Sequence, residues 1–234
     1  MSSVEANHRS FSVAATTGHR LLNAKFPPIP LFEDVASADD FDKLYALQTL
    51  TNPRLQTEMG NLSLLRTKDI PFGINGAHYA VASFTHVNPD GSRFSDGSFG
   101  LMYIGDSTST AIAEVRHHQM IYWNKVIGLN YDRFVFKELF CSFSVNTGLD
   151  LCCLDMLDPL YAPDNYTSSR TLGEKVREEG RYSGIKYNSV RHEGGTCYAL
   201  FTPKEITNII QTKHYEMIWD GSKISSVNSI SRYA

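Results

Sequence analysis

The sequence predicts an α+β fold, in which strands and helices mix without alternating one for one. Three observations predict it. Residues 133–145 alternate in polarity like a long strand. Residues 108–123 carry helical spacing behind a run of capping side chains. Three short strand candidates then follow one another near the C-terminus with no helix between them. The regular β-α repeat of a doubly wound parallel sheet is missing.

Taken in order, the first thirty or so residues carry few periodic signals, and Pro27, Pro28 and Pro30 make 26–31 an extended connector. Ser37-Ala-Asp-Asp40 reads as a helix cap with acidic residues in the first turn. Phe41, Leu44, Tyr45, Leu47 and Leu50 follow at helical spacing, with an end expected near Thr51-Asn-Pro53. From Ala77 the pattern reads as a strand: Tyr79, Val81, Ser83 and Thr85 alternate with Ala80, Ala82, Phe84 and His86, before the turn signal Asn88-Pro-Asp-Gly91. Arg93 stands just beyond that turn.

Leu101 to Ile104 reads as a short strand, and Asp106-Ser-Thr-Ser supplies oxygens to cap a helix from about Thr108 to Trp123. At about 100° per residue, Ala111, Ile112 and Val115 share a face. Glu114 and His118 fall on its flank, about 60° and 20° from Ala111. In 133–145, Val135, Leu139, Cys141, Phe143 and Val145 oppose Phe136 and Phe140, the mark of a strand covered on both faces. Ser168 or Ser169 is the expected cap of a helix through Leu172, Val176 and Arg177 that stops at Gly180. Strands are then expected at 184–190, 196–201 and 214–219, separated by Glu193-Gly-Gly195 and closed by Asp220-Gly221. The expected organisation is an N-terminal extension over 1–60, with one helix that packs on the core or supports a dimer, and a main domain over 61–234.

Composition narrows the function classes. A chain of 234 residues with a net charge of -3 is long enough for a full core and has no basic field for nucleic acid. No apolar run is long enough for a bilayer helix, and Glu5, His8 and Arg9 leave no secretory apolar core, so a soluble cytoplasmic protein is expected. Cys141, Cys152, Cys153 and Cys197 lack metal or disulfide spacing and read as reduced, mostly buried thiols. Rossmann, P-loop, nucleophile-elbow and zinc-helix motifs are absent. Adjacent His117 and His118 point about 100° apart on a helix, which suits surface or capping roles better than one shared metal.

What remains is a constellation: Arg93 in Gly-Ser-Arg-Phe-Ser-Asp-Gly, Tyr103 in Leu-Met-Tyr-Ile-Gly, and Glu114 in Thr-Ala-Ile-Ala-Glu-Val. Downstream, Tyr187-Asn-Ser189-Val-Arg191 before Gly194-Gly195 adds a hydroxyl and a second guanidinium at a strand end. Each residue alone has an ordinary structural explanation, and their combination shifts the balance. The pattern resembles the RES domain family, with Arg93, Glu114 and Ser189 as its arginine, glutamate and serine. Phe-Pro-Pro-Ile-Pro-Leu-Phe, Leu-Thr-Asn-Pro-Arg54-Leu, Ala-Ser-Phe-Thr85-His86-Val-Asn and Trp219-Asp220-Gly221 are similar to its longer subgroup. One position departs: shorter members carry a further arginine on the strand before the Arg93 motif, whereas the nearest position here reads Phe-Thr85-His86. His86, or Arg66 upstream, is the expected substitute.

The resemblance implies an ADP-ribosyltransferase-like core of short, mostly antiparallel strands with surrounding helices. It further implies a toxin-type enzyme that consumes NAD+ as substrate, releases nicotinamide, and passes ADP-ribose to phosphate or water. A protein acceptor is the alternative, and a catalytically silent binding module a second. It also implies a small antitoxin partner. Nicotinamide leaves as a neutral molecule while positive charge builds on the ribose, and a nearby carboxylate, Glu114, stabilises that state without a metal. Arg93 and Arg191 suit a diphosphate or an incoming phosphate. Tyr103 offers a ring to the nicotinamide, Ser189 a short donor, and His86 a further ligand contact.

Overall fold

The computed structural model describes residues 9–26, 60–231 and, between them, Ser37, Asp40, Phe41, Lys43, Tyr45 and Ala46. Three α-helices that are described along their whole length surround a seven-stranded, mostly antiparallel sheet, an α+β fold. In chain order the elements are β1 (Arg9–Asn23), α1 (Ala77–Thr85), β2 (Met102–Gly105), α2 (Thr108–Asn124), β3 (Asp132–Asp150), α3 (Thr167–Glu179), β4 (Gly184–Asn188), β5 (Thr196–Leu200), β6 (Ile206–Trp219) and β7 (Ile224–Ile230).

β3 is the spine, because its apolar side chains are buried along nearly its whole length: Phe136, Leu139, Cys141, Phe143, Val145 and Leu149. β1 pairs antiparallel with it from Arg9↔Asp150 to Asn23↔Phe136. β6 pairs antiparallel from Asp132↔Trp219 to Phe143↔Ile206. Past the end of β6, Gly148–Asp150 pairs parallel with β4. β4 joins β5, β5 joins β2, and β2 returns to β1 at His19↔Gly105. Strands β1, β3, β4, β5 and β2 therefore close a ring, and β7 extends the sheet beyond β6. The ring brings β2, α2 and the β4–β5 turn to one place.

Each helix seals one part of the core. α2 lays Ala111 and Trp123 beside Phe136, Met217 and Trp219, and Trp123 stacks on Phe134 with ring centres 3.7 Å apart. α3 packs Leu172 and Val176 against Phe94, Ile185 and Ala199. α1 sets Tyr79, Ala80 and Phe84 against Met102, Cys141 and Phe143. Among the described residues no helix is long and apolar enough to cross a membrane, and all four cysteines are free.

Several expectations are corrected. Residues 77–85 form a helix, not a strand: Ala77, Ala80, Val81 and Phe84 recur at i, i+3, i+4 and i+7 and are the buried stripe. The tyrosine and threonine alternation that mimics a strand is a by-product of a segment buried on most sides. β1 arises where little order was expected, from a segment assigned to the extension, and β7 follows the expected closing turn. Nor are the strands uniformly short, since β1, β3 and β6 run to 15, 19 and 14 residues. The cap of α3 is neither Ser168 nor Ser169: both lie inside the helix, which starts after Tyr166 and stops as expected at Gly180. Ser37 does cap the first helix, its oxygen accepting from the Asp40 amide, and Phe41 packs against Phe72 and Ala77. Leu44, Leu47, Leu50, Pro53 and the 27–31 connector lie outside the described residues.

α3 fixes the Arg93 loop through Gly173. A Cβ there would meet the Phe94 carbonyl oxygen at 1.9 Å. Helix propensity alone gives Gly173→Ala a gain of about 1 kcal/mol, while forcing backbone apart in a packed core costs about 1–3 kcal/mol or more. Packing is expected to win. Urea unfolding should show net destabilisation; an unchanged or raised midpoint would contradict this account of the packing.

Candidate active site

The site begins at the N-terminus of α2. The Ser107 hydroxyl accepts from the Thr110 amide at 3.2 Å, capping the helix. Asp106 accepts the Thr110 hydroxyl at 2.6 Å and the Thr196 amide at 2.8 Å, so one carboxylate ties α2 to β5. His192 Nδ1 donates to Thr110 Oγ1 at 2.9 Å, which draws the β4–β5 turn onto the same cap. With the helix held this way, Glu114, one turn further on, faces that turn.

Glu114 accepts the Ser189 hydroxyl on Oε1 at 2.6 Å, and the Cys197 thiol points at the same oxygen from 3.8 Å. Its Oε2 lies 4.0 Å from His118 Nε2, at i+4 on α2. Ser189 Oγ also accepts the amides of Arg191 at 3.1 Å and His192 at 3.0 Å. One hydroxyl thus serves a carboxylate and two backbone donors, which uses its whole hydrogen-bonding capacity.

Tyr103 on β2 faces the Arg93 loop. Its hydroxyl accepts the Phe94 amide at 3.0 Å and shares a 2.8 Å hydrogen bond with Ser92. Burial pushes its pKa up to about 12, against the opposing pull of those two bonds and of the Arg93 charge, so it is a neutral phenol at physiological pH. Arg93 is itself buried and donates to the carbonyls of Leu160 at 3.1 Å and Ala162 at 3.3 Å, with its guanidinium 4.6 Å from the Tyr166 ring centre. Arg191 donates to the Pro163 carbonyl and to Asp164 Oδ1 at 3.3 Å.

These groups share one electrostatic neighbourhood. The His118 pKa is lowered, first by desolvation and then by the charges of Arg191 and Arg93. The buried Tyr187 hydroxyl is raised well above its ordinary pKa by burial, then by Cys197, Glu114 and Tyr103, with Arg93 opposing. Arg93, Tyr103, Glu114, Ser189 and Arg191, the residues singled out in the sequence, therefore converge.

His86 stands past the end of α1, on the wall of a cavity of about 700 Å³ that Tyr103 and Ser92 also line. Arg66 is mostly exposed and engages Asp69 at 2.5 Å. The segment Phe-Thr85-His86, the expected counterpart of an arginine-bearing strand, is the end of a helix. The strand flanking β2 on that side is β1, and it carries Arg20, which lines the same cavity. Arg20 Nη1 donates to the Tyr103 carbonyl at 2.9 Å, and desolvation lowers the guanidinium pKa.

A sequence profile of the RES domain matches residues 70–220. The chain belongs to the RES domain family. It is also 28% identical over 213 residues to an uncharacterised protein, y4oC, of Sinorhizobium fredii, covering 88% of this chain and 84% of that one. The matched RES region holds the whole Arg93, Tyr103, Glu114, Ser189 and Arg191 cluster. Arg20 lies outside it, on a strand that its pairing with β3 makes part of the same sheet.

Four residues of this region escaped the sequence reading. His118 had a signal, its i+4 spacing from Glu114. Arg20 had none without β1. Asp164 and Tyr166 reach the arginines only through folding of the 159–166 segment. Replacing Ser189 by Ala would leave the Arg191 and His192 amides without their acceptor, at a cost of about 1–3 kcal/mol for each buried donor left unpaired. Hydrogen exchange at those two amides is expected to speed up by about tenfold or more; unchanged exchange would contradict the bridging role.

Proposed function

We propose that this RES protein cleaves the nicotinamide–ribose bond of NAD+ and passes the ADP-ribosyl group to inorganic phosphate or water. The observation that carries the reading is Glu114, a carboxylate pinned on one oxygen by Ser189 and 4.0 Å from His118, an imidazole that feels the charges of Arg191 and Arg93.

In the proposed step the C1′–N bond breaks and its electron pair returns to the pyridinium ring, releasing neutral nicotinamide. Positive charge grows on the ribose, and Glu114 stabilises it from a fixed position, with no reorganisation at the moment of reaction. Ser189 keeps the carboxylate aimed. The acceptor oxygen bonds to C1′ and gives up its proton, and His118, at 4.0 Å from Glu114 with its basicity lowered, is placed to take it as a neutral imidazole. Arg93 meets carbonyl oxygens and a ring, so its charge serves a diphosphate.

Arg20 takes the place assigned to His86 in this reading. It bonds the Tyr103 carbonyl from the cavity wall, and its desolvated guanidinium is a stronger anchor for a phosphate than an exposed imidazole. The Tyr103 hydroxyl is committed to the Arg93 loop, which leaves its ring as the surface for nicotinamide. A small neutralising antitoxin belongs to the same reading.

Glu114→Gln should slow nicotinamide release from NAD+ by about 10²–10³-fold while the urea midpoint stays unchanged; full activity would overturn the assignment. Arg20→Gln should raise KM for NAD+ by about tenfold, the loss of one charge-assisted contact. Steady-state kinetics with and without phosphate checks both and identifies the acceptor.

A further inference from the structure

Among the described residues, two nitrogens beside the site are sealed from solvent without a hydrogen-bond acceptor: Arg191 Nε and His117 Nε2. Buried donors are normally satisfied, so two facing one region mark a place for a shared acceptor. Asp164 stands close to both side chains. Its Oδ1 lies 3.3 Å from Arg191 Nη2 and 4.0 Å from His117 Nε2, longer than the usual charge-assisted bond, and its side chain is 78% exposed. A single carboxylate oxygen at these distances satisfies neither donor fully.

We infer that Arg191 and His117 form a subsite for a phosphate group, and that Asp164 is an internal competitor for it. A tetrahedral phosphate presents more oxygens than Asp164 brings to bear. Two of them fit the Nε and Nη2 edge of Arg191, and a third accepts from His117 as its Nε2–H tautomer. The local charge agrees. Arg93 and Arg191 both act on neighbouring His118, and Glu114 is the carboxylate whose field opposes the phosphate there.

The 159–166 segment is built to yield at this point only. Leu160 and Ala162 bond Arg93 and Pro163 bonds Arg191 through main-chain carbonyls, whereas Asp164 reaches in from solvent with its side chain. A phosphate therefore displaces a carboxylate without unfastening the segment. The inference rests on the NAD+ reading only for the source of the phosphate group, the dinucleotide's diphosphate or free inorganic phosphate.

Calorimetric titration of inorganic phosphate into the full chain tests it without turnover. Asp164→Asn should bind phosphate about tenfold tighter than the unaltered protein, and adding Arg191→Gln should abolish that gain. Equal or weaker affinity in Asp164→Asn, or no phosphate binding to either protein, overturns the subsite. ADP-ribose titrated into phosphate-loaded Asp164→Asn distinguishes the sources: displacement of phosphate supports a diphosphate subsite, and simultaneous binding supports a subsite for the free acceptor. If NAD+ is not cleaved while Asp164→Asn still tightens phosphate, the proposed reaction falls and the subsite stands.

Discussion

The Ser189 hydroxyl is the interaction on which the site depends. It gives its proton to Glu114 and takes the amides of Arg191 and His192, so the carboxylate on α2 and the turn after β4 share one atom. Remove it and the carboxylate loses its aim while the turn loses its closure. A serine is suited to the position because a hydroxyl can donate once and accept twice within a very small volume. A larger side chain would push α2 away from the turn, and alanine would leave three partners unmet.

That contact can form only because the strands close a ring. β2 delivers Tyr103 and the start of α2, while β4 and β5 deliver Ser189 and the turn. β1 binds β2 to β3 and thereby fixes their separation. Asp106 and Thr110 then set the rotation of α2. The arginines are held differently. Arg93 and Arg191 are steadied by carbonyls of the 159–166 segment, which orient Arg93 without cancelling its charge, while Arg191 also meets the Asp164 carboxylate.

Much of this was legible in the sequence where the signal was local. The capped helix with Glu114 on its flank, the long two-faced strand, and the glycine turn after Ser189 all follow from spacing within about a dozen residues. What was not legible depended on distant partners. β1 is rich in small and hydroxyl side chains and has little periodicity of its own, and its strand character comes from pairing with a segment over a hundred residues away. Without β1, Arg20 had no strand to stand on, although it lines the same cavity as His86 and Tyr103. Residues 77–85 fit both a period of two and a helical stripe, and burial on most sides favoured the helix. His117 and His118 were weighed as a metal pair, when the geometry that matters is how each faces a different carboxylate.

The central claim is that Glu114 faces the breaking bond of a bound NAD+. A crystal structure of the Glu114→Gln protein with NAD+ tests it most directly. The account predicts the ribose C1′ within about 3.5 Å of the side chain at 114, with the diphosphate against the arginines. Dinucleotide bound away from position 114, with Ser189 still holding that side chain and no ligand atom near it, would contradict the account.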